Sequence, residues 1–115
     1  MTTKETPVTL EAYDRSLQLL RSLVPVLKAL ATQDPELTKQ LRRAAQSVGQ
    51  NLSEGNQRAG KDRRHLFRIA LGSAAEVTTA LQQAVALESL APAQVAEALE
   101  LADRIRAMTY RLATR

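Results

Sequence analysis

Residues 34–60, DPELTKQLRRAAQSVGQNLSEGNQRAG, contain a helix together with its start, its buried face and its end. Asp34 supplies an N-cap oxygen, Pro35 a preset φ at the first helical position, and Glu36 a negative charge beside the N-terminal dipole. Leu37, Leu41, Ala44, Ala45, Val48 and Leu52 then return on one apolar face, with Lys39, Arg43, Gln46 and Gln50 opposite. Gly55 reads as the residue that ends the helix, and residues 55–60 as a short polar loop.

The same punctuation extends in both directions. Downstream, the spacing predicts a third helix from about Lys61 to Leu90, with Leu66, Ala70, Ala74, Val77, Leu81 and Ala84 on its inner line. Pro92 opens a fourth, whose inner face is Val95, Ala98, Leu99, Ala102, Ile105, Met108 and Leu112. Upstream, residues 1–8 read as a flexible N-terminus, and Thr9 as the N-cap of a first helix that runs to about Thr32. Pro25 falls on its polar side, where it bends rather than ends the helix. Short connections between long helices imply antiparallel neighbours. The fold expected for residues 9–115 is therefore a single all-α domain, an antiparallel up-down four-helix bundle.

The first helix has two apolar stripes. Leu10, Tyr13, Leu17, Leu20, Val24, Leu27 and Ala31 form a heptad seam, taken as its core face. Leu19, Leu23, Val26 and Leu30 form another, turned by about 100° on a wheel of about 3.6 residues per turn. Helix three likewise carries Phe67, Leu71 and Val85 on one flank and Ile69, Ala80 and Leu87 on the other. Its apolar arc is about 200° wide, where about 100° suffices for a surface helix. Such a surplus predicts a homo-oligomer, with Leu19, Leu23, Val26 and Leu30 as the oligomer interface.

Composition narrows the function. The chain of 115 residues has no Cys and one His, His65, which removes disulfides, thiolate metal sites and cysteine nucleophiles. We expect no metal, no cofactor and no enzymatic activity. The 44% of hydrophobic residues include only 3% aromatics, and Leu and Ala dominate, a helix-forming balance. No apolar run is long enough to span a membrane, and Met1 to Val8 lack the apolar stretch of a signal peptide, so the expected location is cytoplasmic.

Charge is unevenly spread. The net charge is +4, yet residues 39–68 hold Lys39, Arg42, Arg43, Arg58, Lys61, Arg63, Arg64 and Arg68 against only Glu54 and Asp62. Guanidinium groups offer paired donors that match phosphate oxygens. These eight residues are the candidate nucleic-acid-binding set, with RNA or DNA as partner, while an acidic protein is the alternative partner. Tyr13, Phe67 and Tyr110 lie too far apart in sequence to suggest a base-stacking platform. A polar flank, Ser47, Asn51, Glu54, Ser73 and Glu76, reads either as a carboxylate–amide active site or as a clasp that fixes helix register. The clasp is favoured because no nucleophile–base pair accompanies these residues.

The stretch from Gln40 to Gly55, followed by Phe67, Ile69-Ala70, Gly72-Ser73 and Glu76, resembles the bacterial four-helix bundle proteins. These are also called 23S rRNA-intervening-sequence or S23-like proteins. One related branch comprises accessory proteins of diversity-generating retroelements. The aromatic residue usual before helix two is replaced here within Gln33-Asp34-Pro35-Glu36. The resemblance implies a non-enzymatic bundle assembled as a ring-shaped homopentamer and, from the retroelement branch, binding to nucleic acid and to a protein partner.

Overall fold

Pro35 and Pro92 each open a helix, as their fixed φ and missing N–H dictate. The computed structural model describes residues 7–115, which form α1 (Pro7–Ala31), α2 (Pro35–Asn56), α3 (Gly60–Ala86) and α4 (Pro92–Thr114), with no strand among them. Asp34 caps α2 by accepting the Leu37 amide at 3.0 Å. At α4, where Ala91 has no side-chain oxygen to offer, Gln94 Oε1 instead accepts the Ala91 amide at 2.8 Å.

Each helix packs on two others: α1 on α2 and α4, and α3 on the same pair. One contiguous apolar cluster draws on all four helices. The faces expected of α2 and α4 are buried, except that Leu99 is only half-buried. The described chain measures 46 × 23 × 17 Å, an elongated body.

The first helix faces the other way from the sequence expectation. Leu19, Leu23, Val26 and Leu30, assigned to an oligomer interface, are fully or almost fully buried inside this one chain and continue Ala12 and Ser16 as the core face of α1. The heptad seam assigned to the core is partly outside: Leu10 is 50% and Val24 49% exposed, while Leu17 is half-buried. The small residues decide the matter. A Cβ on Gly49 of α2 would stand 2.8 Å from Ser16 Oγ and 3.6 Å from Tyr13 Cε1, so α1 and α2 approach closely where Ser16 and the edge of the Tyr13 ring meet Gly49. The competing face would have centred the larger Leu17 there. Tyr13, Leu20 and Leu27, between the two stripes, are half-buried and pack against the core.

Boundaries shift at three other places. Thr9 is not an N-cap; α1 already runs from Pro7, and Thr9 is buried within it. Of the N-terminus read as flexible, residues 1–6 lie outside the described residues, while Pro7 and Val8 belong to α1. Gly55 does not end α2, which continues to Asn56. A Cβ there would fall 2.7 Å from the Phe67 ring, so this glycine serves a close helix crossing, and the left-handed residue of the turn is Gly60, at φ 63°. Helix α3 stops at Ala86 rather than Leu90. Glu88 there adopts φ 62° while Glu88 and Ser89 donate their amides to Val85 and Ala84, a Schellman turn made without glycine. On the α3 flanks, Phe67 and Ala80 are core, whereas Ile69 and Leu87 remain exposed.

Candidate nucleic-acid interface

The polar flank forms a clasp, though with fewer members than expected. Ser73 on α3 donates to Ser47 Oγ on α2 at 2.8 Å, and Asn51 Nδ2 donates to the same oxygen at 3.0 Å and to the Ser47 carbonyl at 2.9 Å. Ser73 is buried and Ser47 and Asn51 are half-buried; the Ser73–Ser47 bond ties α2 to α3 where apolar residues alone would allow sliding, and Asn51 holds Ser47 in place from within α2. Glu54 and Glu76 are not part of it. Glu54 is exposed and pairs with Arg58, and Glu76 borders the outer α2–α3 groove beside Arg43.

Two of the eight candidate cations are engaged by the fold. The Arg63 guanidinium lies 4.8 Å above the Phe67 ring and donates to the carbonyls of Gly55 and Asn56, both at 3.4 Å. It thus neutralises the carbonyl end of α2, where a cation is stabilising, and reaches Thr9 Oγ1 at 3.5 Å. Arg58 bridges Glu54 at 3.0 Å and Asp62 at 3.7 Å. Lys39 stands at the 4.0 Å limit from Glu36 and is well exposed.

The other five, Arg42, Arg43, Lys61, Arg64 and Arg68, make no ion pair among the described residues. All are exposed except Arg64, which is half-buried. They do not form one patch. Arg43 borders the α2–α3 groove, whereas Arg68 borders the groove between α3 and α4.

That second groove encloses about 700 Å³. Its floor is Leu71, Gly72, Ala75 and Ala107, small enough to leave depth between two helices. Its rim carries three guanidiniums, Arg68 from α3 and Arg106 and Arg111 from α4, with Asp103 paired to Arg106 at 3.3 Å. Tyr110 lines it too and is 58% exposed. Elsewhere, the described residues contain no group of His, Cys, Asp or Glu placed to hold a metal, and no helix long and apolar enough to cross a membrane.

Residues 8–111 match the profile of the 23S rRNA-intervening sequence proteins. The chain belongs to that family. A solved structure from Bacteroides thetaiotaomicron, a protein of unknown function from the S23 ribosomal protein family, is similar in fold. The TM-score is 0.81 at 23% identity, covering 90% of this chain and 99% of that one. No curated protein matches.

In this 23S rRNA-intervening sequence protein, the stretches that carry the resemblance, Gln40 to Gly55 and Phe67 to Glu76, meet at the α2–α3 contact. Ser47 and Ser73 bond there, and Gly55 receives Phe67. Sequence reasoning set Tyr110 aside as an isolated aromatic and missed Arg106 and Arg111 beside it. They lie in a part of the chain whose net charge is negative, and some 40 residues separate them from Arg68. The available signal was local: Arg106 and Tyr110 are four residues apart and share a helix face, with Arg111 beside Tyr110.

Proposed function

We propose that the protein is a non-enzymatic, oligomeric binder of nucleic acid that holds the phosphate backbone of RNA or DNA through α2 and α3. The residues are Lys39, Arg42, Arg43, Lys61, Arg64 and Arg68. Arg58 and Arg63 contribute by shaping the α2–α3 corner. The observation that carries the reading is the set of five cations without an ion-pair partner among the described residues, concentrated on two packed helices. Cations meant only for solubility are usually interspersed with acids; on α2 and α3, Glu36, Glu54 and Asp62 are taken up by Lys39 and Arg58, which leaves the other cations in excess. The family description, which refers to sequence intervening in 23S rRNA, agrees with a nucleic-acid partner.

The finer architecture belongs to the same proposal: an antiparallel up-down bundle, joined into a ring-shaped homo-oligomer, with five copies as the sequence resemblance implies. Short turns and the packing of each helix on two others support the first part. The line Leu10, Leu17, Val24, incompletely covered by this chain, supports the second. A cytoplasmic location goes with the partner proposed.

The test is retention of a structured RNA by the protein in which Arg43, Arg64 and Arg68 are all replaced by Glu. Retention is lost at physiological salt, and at low salt, where residual binding is measurable, the slope of log K against log salt is shallower by about 2–3, since each phosphate contact contributes about 0.7–0.9. The circular dichroism spectrum stays as in the wild type. Unchanged retention by the triple variant overturns the reading. A second reading, a scaffold whose basic face meets an acidic protein, is favoured by Ile69, exposed beside Arg68. Recovery of a protein partner from nuclease-treated lysate, with no RNA or DNA retained by the pure protein, would select it.

A further inference from the structure

Resting on that reading, we infer that the α3–α4 groove takes an unpaired nucleotide, its base stacked on Tyr110 and its phosphates held by Arg68, Arg106 and Arg111. Single-stranded nucleic acid is therefore preferred over duplex. The groove supplies what such a ligand needs in one place. Tyr110 is the most exposed aromatic ring among the described residues, and it stands between two guanidiniums on its own helix and opposite a third. A base stacks on a ring only when one of its own faces is bare, which a nucleotide within a duplex cannot provide.

The cations fit a strand rather than a point charge. Arg106 and Arg111 lie on either side of Tyr110 along α4, four residues before it and one after, so the ring has a cation to each side. Asp103 is turned to Arg106 by their 3.3 Å contact, so the groove keeps a positive surplus. The floor, with Gly72, Ala75 and Ala107, admits a flat apolar group between the helices. Its volume of about 700 Å³ lies within the roughly 300–1,000 Å³ range of small-ligand sites. Arg68 belongs to both the backbone-binding set and this groove, which makes the groove an extension of the proposed surface.

The experiment measures anisotropy of fluorescein-labelled dodecathymidylate, free and annealed to its complement, with wild type, Tyr110→Ala and Tyr110→Phe. The wild type prefers the single strand. Tyr110→Ala lowers the single-strand-to-duplex affinity ratio about tenfold, as expected for one lost stacking contact, and Tyr110→Phe keeps it. With no Trp and two Tyr in the chain, stacking also quenches intrinsic tyrosine fluorescence when unlabelled dodecathymidylate is added, and Tyr110→Phe removes most of that quenching. If Tyr110→Ala keeps the wild-type ratio, the inference fails while phosphate binding stands. If polyglutamate displaces the strand equally from wild type and Tyr110→Ala, the groove reads charge alone and the inference fails. If the wild type binds neither probe, the proposed function fails with it.

Discussion

Gly55 shows how much one position carries. Its backbone lies against the Phe67 ring, and a single methyl group would meet Cε1 at 2.7 Å and Cδ1 at 2.9 Å, with Leu66 Cβ behind at 3.3 Å. Phe67 is fully buried, with the Arg63 guanidinium over its other surroundings, so the ring has little room to yield. Gly55→Ala is expected to destabilise the protein by about 1–3 kcal/mol, the usual cost of overpacking, even though alanine is the better helix former. Urea unfolding followed by circular dichroism checks this; a gain in stability would mean that the ring moves freely. The glycine itself was visible in the sequence, but its purpose was not. A helix-ending glycine and a close-contact glycine look alike until the opposing residue is known.

At the scale of elements, the turn after α3 is the informative case. Glu88 takes a left-handed conformation that costs an L-residue roughly 1–2 kcal/mol, and nothing in a Glu side chain relieves it. Glu88→Gly is expected to raise stability by about 0.5–1 kcal/mol, the strain relief being offset in part by the larger unfolded-state entropy of glycine. The midpoint of thermal unfolding should rise; an unchanged or lower midpoint would contradict the account. This turn also explains why α3 is four residues shorter than its apolar pattern suggests. Leu87 and Leu90 extend the helical periodicity, yet Leu90 is buried by the turn and Leu87 is exposed beyond the helix end. The starts of α2 and α4 were legible because Pro35 and Pro92 act locally. Residue spacing says nothing of a turn stabilised by backbone bonds back to Ala84 and Val85.

For the whole molecule, the reversed facing of α1 has a direct consequence. Leu23 is fully buried and Val24 half-exposed, although they are neighbours in sequence. Leu23→Glu places a charge in the core and is expected to unfold the chain, lost cooperative unfolding being the readout. Leu17→Glu combined with Val24→Glu leaves the core alone and is expected to keep the helical spectrum while lowering the mass seen by light scattering. If the pair leaves the wild-type mass unchanged, the proposed interface lies elsewhere. Charge is arranged on the same scale. The segment around the α2–α3 turn holds Arg58, Lys61, Arg63 and Arg64 against Glu54 and Asp62, whereas the α1–α2 and α3–α4 turns carry Asp34, Glu36 and Glu88.

What the sequence by itself determined is the set of local decisions. There are four helices, two of them begun by prolines, Pro35 behind an aspartate cap and Pro92. The core faces of α2 and α4, and the excess of cations in residues 39–68, were equally legible. Each is written in residues a few positions apart, where capping, periodicity and composition act without reference to the rest of the chain. Tertiary structure alone decided the facing of α1, because both of its stripes are apolar and the choice between them rests on packing against α2 and α4, the close approach of Ser16 to Gly49 included. It also decided which cations are engaged by the fold, and it brought Arg68 together with Arg106, Tyr110 and Arg111. Such pairings depend on which helices become neighbours, and that follows from packing summed over the whole core rather than from any one stretch of sequence.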